Sequence, residues 1–411
     1  MKKICFLFLN VLILFFSACS GQPDAKQPSV EQPGVEQLGE TEEKDDYRVI
    51  ETYTLSTCTF SDLGVLHNQR EGEHKGVCYF FDPVSGREVP LCAKTNCTHQ
   101  GYSWGNPNPD CDACLSEMTT CAAIIGDSLY YVSADGEDGI FRKKICRADP
   151  DGTNRKVLEI IEDAEVFVHG LYEDGYLIYE YCTQTAQDGT PLEKRRTGIC
   201  LYNLESNEAE YIIEENYNAL FGWATVQDHC LYYLYNYFTE DTSEFFGEAI
   251  TYEEVWEYVK KTSRGELWAY DLNTKEQRLM MQEEYGTSTA IVGYGYAYMD
   301  GEYGARLMNL STGEIRELDY ERIQNKGREL TEEGVLLCGE GSIDLWEFDT
   351  GEVKHIGSYD ENLMISLSYV GQDWVYGKEY SASGSNKIFY LPKEQFMKGD
   401  LEWKYLPQKE S

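Results

Sequence analysis

The sequence predicts an all-β chain folded as a β-propeller, with seven four-stranded blades and six or eight left open by the count. Three observations carry this expectation. The chain holds 32 Tyr and 7 Trp, concentrated in short runs bounded by turn residues. A strand–polar turn–strand unit recurs along it. Long amphipathic helical patterns are nearly absent.

The aromatic runs come first. "SLYYVSA", "GYLIYEYC", "CLYYLYNYF", "YGYAYMD" and "DWVYGKEY" mix aromatic and β-branched residues between Gly, Asn and Asp. That composition suits a pleated surface and reads as strand. Each run precedes a second motif, seen as "CYFFDPVSGREVPLC", "ICRADPDGTNRKVLE", "ICLYNLESNEAEYII", "LWAYDLNTKEQRLMM", "ARLMNLSTGEIRELD" and "LWEFDTGEVKHIGS". A degenerate last copy is "KIFYLPKEQFMKGDLEWKYL". The turns begin near Asp82, Asp149, Asn203, Asp271, Asn309, Asp349 and Pro392. The last three intervals approach the ~40–50 residues of a four-stranded blade, and the longer ones contain insertions. One blade cannot bury both of its faces, so neighbours stack on it and a closed ring leaves only short edges. A pair of β-sandwiches would leave the recurring turn position unexplained.

Two insertions stand out. Thr239–Gly265 carries a capping box, Thr251 with Glu254, ahead of "YEEVWEYVKK". Val255, Trp256 and Val259 share a helical face, which either packs on the propeller edge or forms a lid over one mouth of the ring. The other insertion, Pro90–Cys114, contains Cys92, Cys97, His99, Cys111 and Cys114 and almost no aliphatic residue.

The N-terminus reads as an address. Residues 1–18 combine "MKK" with the apolar "ICFLFLNVLILFF", the layout of a secretory leader. Cys19 follows Ser17-Ala18, and the segment resembles the lipobox of bacterial lipoproteins, with Phe16 where leucine is usual. The resemblance implies acylation of Cys19 and anchoring to the outer face of the cytoplasmic membrane, in the cell envelope. Residues 19–47 are rich in Gln, Glu and Pro. They bury too little apolar surface to offset chain entropy and are expected to be a disordered acidic tether. The propeller domain then occupies residues 48–411. A formal charge of −37 argues against nucleic acid and anionic lipid as partners.

Familiar catalytic motifs are missing: no Gly-x-Ser-x-Gly, no His-Glu-x-x-His, no phosphate-cradling Gly-rich loop. His67, His74, His169, His229 and His355 fall near strand ends or turns and read as surface or core residues. Ala134–Gly139, "ADGEDG", lacks the ligand spacing of a calcium loop and reads as a solvated turn.

The Cys/His stretch has three readings. Cys92, Cys97, His99 and Cys111 form a Cys₃His set for a structural zinc ion, which staples segments that have little core. Alternatively, disulfides form among Cys92, Cys97, Cys111 and Cys114, as exported chains often require. A redox pair at Cys111 and Cys114 lacks a thioredoxin-like βαβ setting. Cys146, Cys182, Cys200, Cys230 and Cys338 lie within aromatic strands of different blades and read as small core residues. Metal and disulfide remain equal readings.

Ile140–Leu158, "IFRKKICRADPDGTNRKVL", is similar to the latter half of a blade in the low-density-lipoprotein-receptor type of propeller. "SLYYVSADG" stands where that family carries Tyr-Trp-Thr-Asp and departs at the tryptophan. More broadly, lipobox, tether, aromatic hairpins and Cys-His stretch resemble propeller lipoproteins of anaerobic Gram-positive bacteria, a likeness that implies no particular activity. The expected role is a binding or scaffold module, not catalysis, for an extracellular ligand, peptide, glycan or envelope protein. Its ligand-binding residues are unknown. The alternative is a propeller hydrolase or lyase acting on extracellular glycans.

Overall fold

The computed structural model describes residues 58–68, 74–116, 118–137, 140–161, 165–172, 175–185, 191–213, 219–240, 252–283, 289–301, 304–323, 326–380 and 386–407. The leader, Cys19, the tether and Thr251 of the capping box lie outside the described residues. So does part of "ADGEDG", whose first four residues end a strand.

Twenty-eight strands form seven four-stranded antiparallel sheets. Blade 1 holds β1–β4 (Cys58–Ser61, Gly64–Asn68, Cys78–Asp82, Arg87–Pro90). Blade 2 holds β5–β8 (Met118–Ile125, Ser128–Glu137, Ile140–Ala148, Lys156–Ile161). Blade 3 holds β9–β12 (Glu165–Tyr172, Tyr176–Thr185, Pro191–Asn203, Glu208–Ile213). Blade 4 holds β13–β16 (Ala219–Gln227, Cys230–Phe238, Ser263–Asp271, Gln277–Glu283). Blade 5 holds β17–β20 (Thr289–Gly293, Tyr296–Gly301, Gly304–Asn309, Ile315–Asp319). Blade 6 holds β21–β24 (Gly327–Leu330, Gly334–Gly339, Ser342–Glu347, Val353–Ser358). Blade 7 holds β25–β28 (Met364–Val370, Trp374–Tyr380, Asn386–Pro392, Lys404–Tyr405). Short helices are α1 (Tyr252–Thr262), α2 (Tyr320–Ile323) and α3 (Lys393–Met397).

The first strand of every blade touches the first strand of the next, and β25 touches β1, so the ring closes on seven blades. Among the described residues every sheet is built from consecutive strands, with no strand exchanged between blades 7 and 1. Each blade is buried on both faces. The six residues of β22, "GVLLCG", are accordingly all buried and read as an uninterrupted apolar run. Alternation then sends side chains to different junctions. On β23, Ile343 and Leu345 pack toward blade 7, while Trp346 packs toward blade 5. Seven apolar clusters result, one at each junction.

The recurring motif of the sequence is the third-to-fourth-strand hairpin. In blades 1, 3, 4 and 5 its Asp or Asn side chain caps the turn. Asp82 Oδ1 accepts from Val84 N at 2.9 Å, Asn203 Oδ1 from Glu205 N and Ser206 N at 2.9 Å, and Asp271 Oδ1 from Asn273 N and Thr274 N at 2.8 Å. Asn309 Oδ1 does the same to Ser311 N and Thr312 N at 3.0 Å. Such Asx turns are the usual role of Asp and Asn at hairpin ends. Blade 6 starts its turn at Glu347 rather than Asp349, with Gly351 N bonded to Glu347 O. Blade 7 replaces the tight turn at Pro392 with α3.

The predicted helix is α1, which runs directly into β15. It continues its own hairpin: Val259 is buried, Tyr258 stacks on Phe238, and Thr239 N bonds Thr262 O. The side chains of Val255 and Trp256 lie outside the described residues. Cys146, Cys200 and Cys338 are buried core residues, and Cys230 is partly buried. Cys182 and Cys200 belong to one blade, on β10 and β11, rather than to two. Among the described residues no helix is long and apolar enough to cross a membrane.

Candidate metal centre

Residues 91–117 join β4 to β5 and carry the Cys/His stretch. The insertion packs between blades 1 and 2. Leu91, Cys111, Ala113, Cys114 and Leu115 are buried against Val77 and Tyr79 of blade 1 and Leu129, Tyr131, Cys146 and Ala148 of blade 2. Backbone bonds fix it to the start of β3: Cys78 N to Ala113 O at 2.8 Å, Leu91 N to Cys78 O at 2.9 Å, and Tyr102 N to Lys75 O at 2.7 Å.

Blade 2 holds the other side. From the β7–β8 turn, Arg155 donates to Cys114 O at 2.8 Å, Asp112 O at 2.6 Å and Gly152 O at 2.9 Å. Gly152 has φ +79, and a Cβ there would meet Asp112 O at 1.9 Å. Only glycine tolerates both that conformation and that approach. Gly152 and Arg155 are therefore the residues of the "DPDGTNR" motif that receive the insertion, a role the motif alone did not reveal.

Four side chains converge. One ligand atom from each of Cys92, Cys97, His99 and Cys111 lies within 4.8 Å of every other. Cys111 Sγ is 3.5 Å from His99 Nδ1. A tetrahedral zinc ion with bonds of about 2.0–2.3 Å brings such atoms to roughly 3.5–3.8 Å of one another, so small rotations complete the set. Positive φ at Asn96 (64) and His99 (51) turns the chain sharply enough to bring His99 onto the cysteines.

The surroundings of Cys92 favour thiolate, the form that binds metal. Burial pushes the Cys92 thiol up, but the backbone N–H groups of Lys94 and Asp112 and the thiols of Cys97 and Cys111 outweigh it and hold Cys92 below its ordinary value. His99 N donates to Cys97 Sγ at 3.4 Å. At Cys111 burial dominates and raises the thiol, against the N–H of Ala113. A bound dication would reverse that preference. Outside the four, His74 Nδ1 lies 2.8 Å from His99 O, and Lys94 Nζ bridges Asp110 at 2.6 Å and Asp112 at 3.0 Å. Lys94 thereby ties the Cys92–Cys97 turn to the segment carrying Cys111.

Cys114 stands apart. Its thiol donates to Gln100 O at 3.6 Å, and burial pushes it up to about 11. The described cysteines, Cys92, Cys97, Cys111 and Cys114 included, are free thiols here. At the insertion's tip, a two-residue turn between Ser103 and Asn106 carries Trp104, 103% exposed. The chemistry available is that of a closed donor set. Three sulfurs and one nitrogen fill a tetrahedral shell and leave no position for a substrate.

No family model matches the chain, and no curated protein matches it. Among solved structures it is similar to the β-propeller domain of the Trilobed protease from Pyrococcus furiosus, a domain described as having an open velcro topology, with 13% identity and TM-score 0.47 over 88% of this chain and 99% of that one. It is also similar to an acylaminoacyl peptidase of Pyrococcus horikoshii, with 15% identity and TM-score 0.46 over 71% of this chain and 46% of that one. The chain thus spans less than half the length of that peptidase. An oligogalacturonate lyase in complex with manganese matches with 14% identity and TM-score 0.45 over 66% of this chain and 72% of that one. At these identities the likeness is one of fold.

Proposed function

We propose that this chain is a lipid-anchored extracytoplasmic protein whose seven-bladed propeller is a rigid binding or scaffold module, stapled by a structural zinc ion on Cys92, Cys97, His99 and Cys111. The carrying observation is the mutual approach of those four ligand atoms within 4.8 Å. Its position supports a structural role, because the cluster joins two blades through a segment that has little core of its own. When bound, zinc would supply folding energy and no open coordination site. The residues of the chain do the rest: Arg155, Gly152 and Lys94 hold the loop that displays Trp104.

The anchor rests on the leader and on Cys19 after Ser17-Ala18. Acyl chains contribute about 0.8 kcal/mol per buried CH₂, so several on one cysteine hold firmly to a membrane. The partner is an extracellular ligand, peptide, glycan or envelope protein.

Elemental analysis of protein purified without oxidation tests the centre. Near one zinc per chain is expected; metal-free protein with residues 92–114 bridged by disulfides would sink it. The anchor is tested by Cys19→Ala, which should lose acylation and leave the membrane fraction. Glycan turnover abolished by changing one carboxylate near the ring's axis would replace the binding role with an enzymatic one.

A further inference from the structure

Blade 6 carries a second constellation, remote in sequence from the Cys/His centre. Asp344 on β23 and His355 on β24 are cross-strand partners. His355 Nδ1 lies 2.9 Å from Asp344 Oδ1, and Ser358 Oγ lies 3.1 Å from His355 Nε2. The arrangement depends on a bulge. Residues three apart on a regular strand point to opposite faces. The register shift between Ile343 and Asp344 pairs Asp344 with His355 but Ile343 with Gly357, leaving Ile356 extra. Ser358 is thereby returned to the face that holds His355. Bulges recur where a side chain must be re-aimed.

The carboxylate is firmly held. Lys326 Nζ pairs with Asp344 Oδ2, and Ser342 Oγ donates to the same oxygen at 3.2 Å. Oδ1 remains for the imidazole. Burial pushes the Asp344 carboxyl up, but hydrogen bonds from Lys326 and His355 outweigh it and keep the group below the usual carboxylate range. The ends of the array are open: the His355 side chain is 56% exposed and Ser358 is exposed.

We propose that Ser358, His355 and Asp344 form a nucleophile, a base and a positioning carboxylate that accept acyl groups from activated carboxylic esters. Asp344 fixes the proton on Nδ1, which leaves Nε2 to take the proton of Ser358. Ser358 Oγ attacks the ester carbonyl and a new C–O bond forms as the proton passes to Nε2. The tetrahedral species collapses, the original ester C–O bond breaks, and the imidazolium returns the proton to the leaving alkoxide or phenoxide. Water, deprotonated by the same imidazole, then attacks the acyl-serine; the acyl C–Oγ bond breaks, the carboxylic acid leaves, and the imidazolium returns the proton to Ser358 Oγ. No electron transfer is involved.

One feature restricts the substrate class. The amide following Ser358, Tyr359 N, is already bonded to Gly341 O at 2.9 Å. It therefore gives no help to an oxyanion, and each missing donor of that kind lowers turnover by about 10²–10³-fold. Good leaving groups are required, and amides are excluded. Lys326, Asp344 and Ser342 also fit a purely structural ion-pair network, which would not make Ser358 reactive.

The test is covalent labelling of the full chain by a fluorophosphonate, with p-nitrophenyl acetate as a second probe and peptide mapping of the adduct. The expected result is an adduct at Ser358 that forms faster than at other surface serines. His355→Ala should slow it by about 100-fold or more, the range of general-base assistance. The His355 side chain is exposed, so unchanged circular dichroism should accompany the loss. Ser358 labelled no faster than other serines, or equally fast in His355→Ala, would overturn the proposal.

Discussion

Blade 1 meets its two neighbours by opposite means. Toward blade 7 the junction is aromatic: Phe60, Phe81, Tyr369, Tyr376 and Tyr390 pack with Val65 and Leu406. Phe81 meets Tyr390 edge-on at 4.9 Å. One carboxylate reinforces it, as Asp62 accepts from Gln372 N at 2.9 Å, Asp373 N at 3.1 Å and Trp374 N at 3.3 Å. Toward blade 2 the junction also takes in an insertion whose outer half is Gly, Asn, Pro and polar residues. There, cysteines, a histidine and one arginine are added to the rings of Tyr79 and Tyr131. The difference teaches where a staple is needed. Aromatic burial suffices where no insertion lies in the junction. A long, core-poor connection between blades needs ligands of another kind.

If that contrast is right, the largest effect comes from removing a ligand. Cys111→Ser should abolish zinc binding and loosen residues 91–116, at a loss on the order of 5 kcal/mol or more, given that structural zinc contributes on the order of 10 kcal/mol in isolated fingers. Hydrogen exchange should show the loss at the blade 1–2 junction and not at the blade 7–1 junction. Uniform loss around the ring would break the comparison. A chelator should reproduce the effect in the unaltered chain.

Next is the aromatic junction. Phe81→Ala should cost about 3–5 kcal/mol by thermal or denaturant unfolding. Zinc content should stay near one per chain, because the two junctions do not share Phe81.

Gly152→Ala sharpens the comparison from the blade 2 side. Positive φ and the clash with Asp112 O should cost about 2–3 kcal/mol, felt in the insertion. The crystal structure of the variant should show the insertion displaced and blade 7 unmoved.

The smallest effect belongs to the clasp. Asp62→Ala removes an acceptor for three amides, two of them exposed, and should cost about 1 kcal/mol. Asp62→Asn, which keeps an acceptor oxygen, should cost less. A loss from Asp62→Ala as large as that from Phe81→Ala would mean the carboxylate, and not the rings, closes the ring.

Much of this was legible in the residues themselves. The strands follow from aromatic runs, and the blade repeat follows from the Asx turns, because those turns demand Asp or Asn at a fixed place. Cys92, Cys97, His99 and Cys111 were legible as one candidate donor set, but disulfides among the cysteines were an equal reading, because an exported core-poor stretch can be stapled either way. Less legible was anything produced by contact between distant segments. Arg155 reads as an ordinary turn residue until it meets Cys114 O, and His355 reads as a strand-end histidine until a bulge places Ser358 beside it. Asp62 gives no sign that it serves residues more than three hundred positions away.

While the structure settles the number of blades at seven, composition and local spacing determine that the chain is a propeller of repeated strand-turn units with one Cys/His stretch. These depend on backbone preference and side-chain periodicity, which act over a few residues. Three-dimensional packing alone decides which of five candidate donors converge, leaving Cys114 to bond Gln100 O. It also decides how blades 7 and 1 close and which serine faces which histidine. Such choices rest on where independently formed blades come to lie, and local sequence preference carries no information about that.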